Sequence, residues 1–95
     1  MRTDTYGMEK ETQTLIQALC RQDGQAQRRV LQLYGTMIFG QVARIVTCQE
    51  DAEEVYQDVF VKVFRNIQSY DSRQASLATW MSRIAYNESL NFVRR

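Results

Sequence analysis

The absence of proline most restricts what this chain can fold into. Its 95 residues contain no proline and four scattered glycines. Proline breaks the interior of a helix and glycine weakens it, so this composition suits long uninterrupted helices. Apolar residues recur at the 3.6-residue helical period in four segments. The length allows one domain, and we predict an all-α fold, a compact bundle of about four helices.

The first two predicted helices are joined by a short turn. The first helix runs from about Glu9 to Gln22, and Gly24 suits the left-handed conformation that often follows a helix. The second runs from about Ala26 to Val46. Gly35 and Gly40 weaken this helix by roughly 1 kcal/mol each relative to alanine, so we expect them to mark close packing of another helix.

The third and fourth predicted helices flank a polar loop. Asp51 is the predicted N-cap of the third helix, with Glu54 at the capping-box position, and this helix extends to about Gln68. The loop covers residues 69–76. Ser76 is the predicted cap of the fourth helix, which runs from Leu77 to about Arg95.

Composition excludes several classes of function. The chain has no histidine, which removes histidine-based acid–base catalysis, catalytic triads and most zinc sites. Cys20 and Cys48 lie far apart and favour two free thiols in a reducing compartment. No apolar run approaches the ~18 residues that a membrane span needs. We therefore expect a cytoplasmic protein without membrane insertion, metal or cofactor.

Charge is unevenly distributed in a chain whose formal net charge is only +1. Residues 50–58 contain five acids and no base, whereas residues 59–95 contain six bases and two acids. This pattern is compatible with two partners of opposite sign. Di-metal sites in bundles combine glutamates with Glu-x-x-His motifs on several helices. Because these acids lie on one helix, a carboxylate metalloenzyme is the least favoured function.

The third helix has an outward face that a bundle does not require. Its predicted core stripe consists of Ala52, Tyr56, Val59, Phe60, Val63 and Ile67. The opposite side contains Glu54, Gln57 and Asp58, with Val61 among them and Phe64 at the border. An apolar residue surrounded by acids is typical of a small protein-binding patch. The alternative is that Val61 is an ordinary exposed valine and the acids favour the helix N-terminus.

The fourth helix also has two stripes. Its predicted core stripe consists of Leu77, Met81, Ile84, Ala85 and Phe92. A second stripe contains Trp80, Arg83, Asn87 and Arg94, a combination able to hold unpaired bases and phosphates. The alternative is a core-edge tryptophan beside solvated arginines. Glu88 falls within the core stripe, so either a buried arginine partner or an early end of the core is expected there.

Two segments resemble region 2 of the sigma-70 family, most closely its extracytoplasmic-function (ECF) group. They are DAEEVYQDVFVKVFRNIQSYD (51–71) and SLATWMSRIAYNESLNFVRR (76–95). The shared features are an acidic helix start, a Gln-Asp pair, an F-x-K-x-[FY]-R run and T-W-x-x-R-I-A-x-N. The resemblance covers residues 9–95 and leaves residues 1–8 as a polar N-terminal tail. It implies a non-enzymatic RNA polymerase sigma factor.

The resemblance implies that this region binds core RNA polymerase on the clamp helices of the largest catalytic subunit, a positively charged coiled coil. The implied polymerase-binding residues are Glu54, Gln57, Asp58, Val61 and Phe64. An anti-sigma factor is a further implied partner.

The resemblance also implies recognition and melting of the promoter −10 element through its non-template strand. The 69–76 loop would capture a flipped base, Trp80 would act as an aromatic wedge and Asn87 would contact a base. Lys62 and Arg83 would contact the DNA backbone. The full set expected to contact DNA is Lys62, Arg65, Tyr70, Asp71, Ser72, Arg73, Ser76, Thr79, Trp80, Arg83 and Asn87.

Three departures from the family pattern are visible. Met81 stands where primary sigma factors have a second aromatic residue, which implies weaker melting power. Glu88 stands at a position that is often apolar, and the region 4 helix-turn-helix is absent from this chain. A second functional class stays open: a helical interaction module that binds polymerase or an anti-sigma factor without reading DNA. Such a module would not need Trp80, Asn87 or the loop.

Overall fold

The computed structural model describes residues 10–95 as four α-helices, which confirms the predicted all-α bundle. They are α1 (Lys10–Cys20), α2 (Gly24–Ala43), α3 (Gln49–Arg65) and α4 (Leu77–Val93). A short 3-10 turn, Ile67–Ser69, follows α3. The predicted tail at residues 1–8 and the predicted helix start at Glu9 lie outside the described residues.

The turn between α1 and α2 differs from the prediction. Gln22, not Gly24, adopts the left-handed conformation, with φ of 61°, and α1 ends at Cys20 rather than Gln22. Gly24 is the first residue of α2, because the Asp23 side chain caps that helix by accepting from the Gln25 N–H at 3.0 Å. The Gln22 Nε2 atom donates to the Phe64 carbonyl at 2.9 Å. This long-range hydrogen bond helps to hold a non-glycine residue in the left-handed region.

The boundaries of α3 also differ from the prediction. Cys48 is the N-cap residue and makes no side-chain capping bond, so the expected capping box of Asp51 and Glu54 is wrong. Asp51 lies in the first turn, where its charge is favourable to the helix dipole. The helix ends at Arg65, before the 3-10 turn, rather than at Gln68.

The ends of α2 and α4 lie short of their predicted positions, whereas the start of α4 agrees. α2 ends at Ala43 instead of Val46, and α4 ends at Val93 instead of Arg95. The predicted cap at Ser76 is confirmed, because its Oγ accepts from the Thr79 N–H at 3.1 Å. This cap determines where the polar loop stops and α4 begins.

The core lies where α4 packs against both α2 and α3, and α1 packs against α2 and the 3-10 turn. Its buried apolar residues are Leu19, Ala26, Val30, Ile38, Val42, Val46, Ala52, Val55, Val59, Phe60, Val63, Ile67, Leu77, Met81 and Ala85. In α3, Tyr56 is only half-buried and Val55 is fully inside. In α4, Ile84 and Phe92 are half-buried, whereas Ser89 is buried. Contact with two helices widens the buried arc of α4 and turns it toward Ser89.

The two glycines of α2 have different surroundings. A Cβ atom added at Gly35 would lie 2.7 Å from the Tyr56 hydroxyl oxygen, so this position marks a close approach of α3, as predicted. A Cβ atom at Gly40 would meet nothing within 4 Å, so the same expectation for Gly40 is wrong. The Tyr56 ring is held by edge contacts with Phe39 and Phe60, at centroid distances of 5.6 and 5.2 Å.

This contrast predicts opposite effects of the same substitution. Gly40→Ala should raise the free energy of unfolding by about 0.5–1 kcal/mol, because alanine favours the helix and meets no obstacle. Gly35→Ala should lower it by about 1–2 kcal/mol, because the new methyl group overpacks against Tyr56. Tyr56→Phe removes the obstructing oxygen and should restore stability to the Gly35→Ala variant. Urea denaturation of the four proteins measures this, and stabilisation by Gly35→Ala would contradict the proposed crowding.

Candidate functional site

The outward face of α3 presents acids beside an exposed apolar side chain. Glu54, Gln57 and Asp58 are exposed, and Val61 retains 48% of its accessible surface. Neither salt bridge found among residues 10–95 uses an acid of this face. The charges of Glu54 and Asp58 are therefore not neutralised by an ion pair within the described residues. We call Glu54, Gln57, Asp58 and Val61 the acidic face.

Phe64 lies at the edge of this face and belongs partly to the bundle. It is half-buried and packs against Phe60 at a ring-centroid distance of 5.8 Å. Its carbonyl accepts the hydrogen bond from Gln22. Phe64 therefore differs from the four exposed side chains of the acidic face, because it is half-buried and packs against Phe60.

The loop before α4, residues 70–76, is organised by its own side chains. The Asp71 carboxylate accepts from the Arg73 backbone N–H at 2.9 Å and from its guanidinium at 3.1 Å. These bonds hold the pKa of Asp71 below its ordinary value. The Tyr70 hydroxyl donates to the Ala75 carbonyl at 2.8 Å, and burial raises the pKa of Tyr70. These contacts are internal to the loop, and the Arg73 side chain remains 88% exposed.

An aromatic pair joins this loop to α4. The ring centroids of Tyr70 and Trp80 are 5.3 Å apart, with the ring planes inclined by 50°. Trp80 is half-buried and packs against the edge of the core. Its packing therefore agrees with the alternative interpretation of Trp80 as a core-edge aromatic. Through Tyr70, the loop is in contact with Trp80 of α4.

A polar row continues along the exposed side of α4. Thr79, Arg83 and Asn87 line an open groove of about 640 Å³. Met37 of α2 and Tyr86 contribute apolar surface to the same groove and are 37% and 57% exposed. Sequence reasoning missed these two residues. Tyr86 could have been found, because it falls outside the predicted core stripe and directly precedes Asn87.

Lys62 and Ser76, which are exposed and are predicted to contact DNA, also use their side chains in contacts within the chain. Lys62 forms a salt bridge with Glu88, whose side chain is only 17% exposed. Glu88 therefore has a lysine partner from α3, whereas a buried arginine partner or an early end of the core was expected. Ser76 also uses its hydroxyl internally, as the cap of α4, and donates to the Thr79 hydroxyl at 3.0 Å. By contrast, Arg65 and Arg83 are exposed and belong to neither salt bridge found in residues 10–95.

The described residues offer no donor set for a metal ion. No group of three or more histidine, cysteine, aspartate or glutamate side chains within residues 10–95 is close enough to hold one. Cys20 is half-buried, Cys48 is exposed, and both are free thiols. None of the helices in this part of the chain has the length and apolarity required to cross a membrane.

Comparison with known families decides the class of this bundle. The family model for sigma-70 region 2 matches residues 30–95, which include most of α2 and all of α3, the loop and α4. The chain belongs to the sigma-70 region 2 family. Its curated relatives assign it to the ECF group, so it is an ECF-type region 2 domain.

Three relatives illustrate this assignment. The ECF RNA polymerase sigma-E factor of Haemophilus influenzae is 30% identical over 81 residues, which are 85% of this chain and 42% of the relative. SigK of Mycolicibacterium vanbaalenii is 25% identical over 84 residues, or 88% of this chain and 43% of the relative. SigW of Bacillus subtilis is 26% identical over 88 residues, which are 93% of this chain and 46% of the relative. The region 2 chain thus spans less than half the length of these sigma factors.

Proposed function

We propose that this ECF region 2 domain binds core RNA polymerase through the acidic face and recognises and melts the promoter −10 element through the loop and α4. The domain is not itself an enzyme in this proposal. The observation that supports it best is the contact between Tyr70 and Trp80. That contact links the hydrogen-bonding loop to α4, the helix that carries the polar row.

The two proposed surfaces differ in chemistry and lie on different helices. The acidic face of α3 suits a positively charged partner, which is the character of the polymerase clamp helices in this family. The α4 row has Arg83 as its charged member and no acid, so it suits phosphates and base edges. A single small domain can therefore contact polymerase and DNA at the same time.

Energetics explain why the two contacts belong together. Unstacking a base costs a few kcal/mol, and stacking on an aromatic side chain returns roughly 1–3 kcal/mol per base. Trp80 alone therefore does not offset the cost of melting. Hydrogen bonds from the loop and the binding energy of polymerase must supply the difference. We accordingly propose that the domain opens DNA when it is bound to polymerase.

One observation favours the second class, an interaction module that binds polymerase or an anti-sigma factor without reading DNA. Lys62 and Arg73 are both held in salt bridges within the described residues. This leaves fewer free cations for phosphates than the sequence suggests. Selective binding of single-stranded over duplex DNA by the polymerase-bound domain separates the two functions, because an interaction module has no reason to show it.

The salt bridge of Lys62 leads to a prediction about DNA affinity. Glu88→Gln should release Lys62 to contact a phosphate. The slope of log K against log[salt], where K is the binding constant for single-stranded DNA, should then become steeper by about 0.7. Stability should change by less than about 1 kcal/mol, since Lys62 is half exposed. Fluorescence anisotropy with a labelled single strand over a salt series measures the slope. Glu53→Gln is the matched control, because it removes one negative charge, as Glu88→Gln does, but on α3. Equal slopes for the two variants would contradict the prediction.

The proposed melting role is tested by Trp80→Ala on duplex and premelted DNA. Polymerase with the parent chain should make thymines of the −10 region reactive to permanganate on duplex DNA. The Trp80→Ala complex should bind the duplex but open it more slowly, because the wedge that replaces lost stacking is gone. On a premelted bubble the two complexes should behave alike.

Trp80→Phe is the control, because it keeps an aromatic ring against Tyr70 and should retain most of the opening. Thermal denaturation of each variant checks that the bundle remains folded. Equal opening rates for the parent and Trp80→Ala would show that Trp80 only packs. Failure of the parent complex to open or bind −10 DNA would overturn the proposed function itself.

A further inference from the structure

The open groove beside α4 contains two exposed apolar side chains that come from different helices. Residues 10–95 expose five large apolar side chains, which are Leu33, Met37, Val61, Tyr86 and Val93. Met37 of α2 and Tyr86 of α4 line this same groove. They are 49 positions apart in the sequence and reach one groove because α2 packs against α4.

The packing of the bundle does not explain the exposure of Tyr86. Its side chain is 57% exposed, and none of the aromatic pairs found in residues 10–95 includes it. A single exposed apolar side chain is ordinary for a soluble protein. Tyr86 shares its groove with Met37, however, and apolar surface rimmed by polar groups is typical of a binding site. The groove therefore has the character of a contact surface.

The two apolar residues are particular to this chain. The run T-W-x-x-R-I-A-x-N places Trp80, Arg83 and Asn87 at fixed positions and leaves the position of Tyr86 open. Met37 belongs to neither segment that carries the resemblance. Arg83 and Asn87 therefore supply what the pattern shares, and Met37 and Tyr86 supply what distinguishes this groove.

The chemistry of the groove matches one nucleobase best. Of the described residues that line it, Arg83 alone is charged, and Asn87 and two hydroxyls can donate hydrogen bonds. Cytosine presents an N4 donor that pairs with a carboxylate, and none lines the groove. Thymine presents an O4 acceptor beside its C5 methyl group. Guanine also presents acceptors, but it has no methyl group for the apolar side chains to contact.

We propose that this groove reads one thymine of the promoter by its C5 methyl group, which packs against Met37 and Tyr86. Asn87 donates to the O4 atom of the same base, and Arg83 holds a neighbouring phosphate. The inference rests on the proposed function and extends it, because it makes α2 a determinant of promoter specificity beside the loop and α4. The positive charge of Arg83, without an acid in the lining, favours DNA as the occupant.

The test replaces thymine with uracil, which lacks only the methyl group. A DNA bubble is first selected from a randomised library by the parent domain bound to core polymerase. Each thymine of the selected bubble is then changed to deoxyuridine in turn. At one position this change should lower the affinity of the parent complex by about three- to fivefold, the effect of one buried methyl group.

The double variant Met37→Gln with Tyr86→Gln should bind the thymine and uracil forms of that position alike. Leu33→Gln is the matched control, because Leu33 is 48% exposed one turn before Met37 and does not line the groove. It should retain the full discrimination. Thermal denaturation checks that each variant is folded.

Two results would overturn the inference and leave the proposed function standing. One is a parent complex that binds and opens the selected DNA but distinguishes uracil from thymine at no position. The other is discrimination that persists in the double variant or that is lost equally in Leu33→Gln. If the parent complex enriches no sequence from the library, the proposed function fails and the inference fails with it.

Discussion

Reversing the charge of Asp58 with lysine is expected to weaken binding to core RNA polymerase by more than tenfold. Asp58 is exposed on the acidic face and belongs to neither salt bridge found in residues 10–95. The substitution therefore removes an attraction to a positively charged partner and adds a repulsion in its place. Stability should change by no more than about 0.5 kcal/mol, because the side chain is exposed and makes no buried contact.

The measurement is a titration of labelled core polymerase with the parent and variant domains at several salt concentrations. Glu11→Lys is the matched control, because Glu11 is an exposed acid at the start of α1 and does not belong to α3. It makes the same change in net charge and should lose much less affinity. Equal losses for the two variants would mean that net charge, rather than the acidic face, governs binding.

Truncating Met81 to alanine is expected to destabilise the domain by about 2–5 kcal/mol. Met81 has no accessible surface and lies where α4 meets the core. Its removal forfeits burial of apolar atoms and leaves a cavity that the surrounding helices fill only partly. For a domain of this size, a loss of that magnitude can be a large share of the total stability.

Urea denaturation measures the loss, with the slope checked to remain constant between variants. Ile84→Ala is the informative comparison, because the sequence predicted Ile84 in the core and the structure leaves it half-buried. Its effect should be clearly smaller than that of Met81→Ala. The reverse order would mean that the helical phase of α4 is wrong, and with it the exposed row of Thr79, Arg83 and Asn87.

The number of helices, most of the core of α3 and the exposure of Val61 could be predicted from the sequence. These features are set locally, by the absence of proline, by helical periodicity and by the capping chemistry of Ser76. The acidic face was predictable for the same reason. A helix exposes one side whatever its neighbours are, and the periodicity identifies which residues lie there.

The turn at Gln22 was not predictable, because another part of the chain helps to hold it. A left-handed glutamine is held by a carbonyl 42 residues away. The sequence offers a better capping residue in Asp51, yet α3 starts earlier.

For the candidate site, the sequence by itself determined which residue types are present. Only the tertiary structure decided which of their side chains form contacts with other parts of the chain. Lys62 and Glu88 are 26 residues apart and meet because α3 and α4 pack together. The same packing of distant segments brings Met37 of α2 to the α4 groove. Periodicity along one helix contains no information about a neighbouring helix, since the distances between helices depend on how all the side chains of the core fit together.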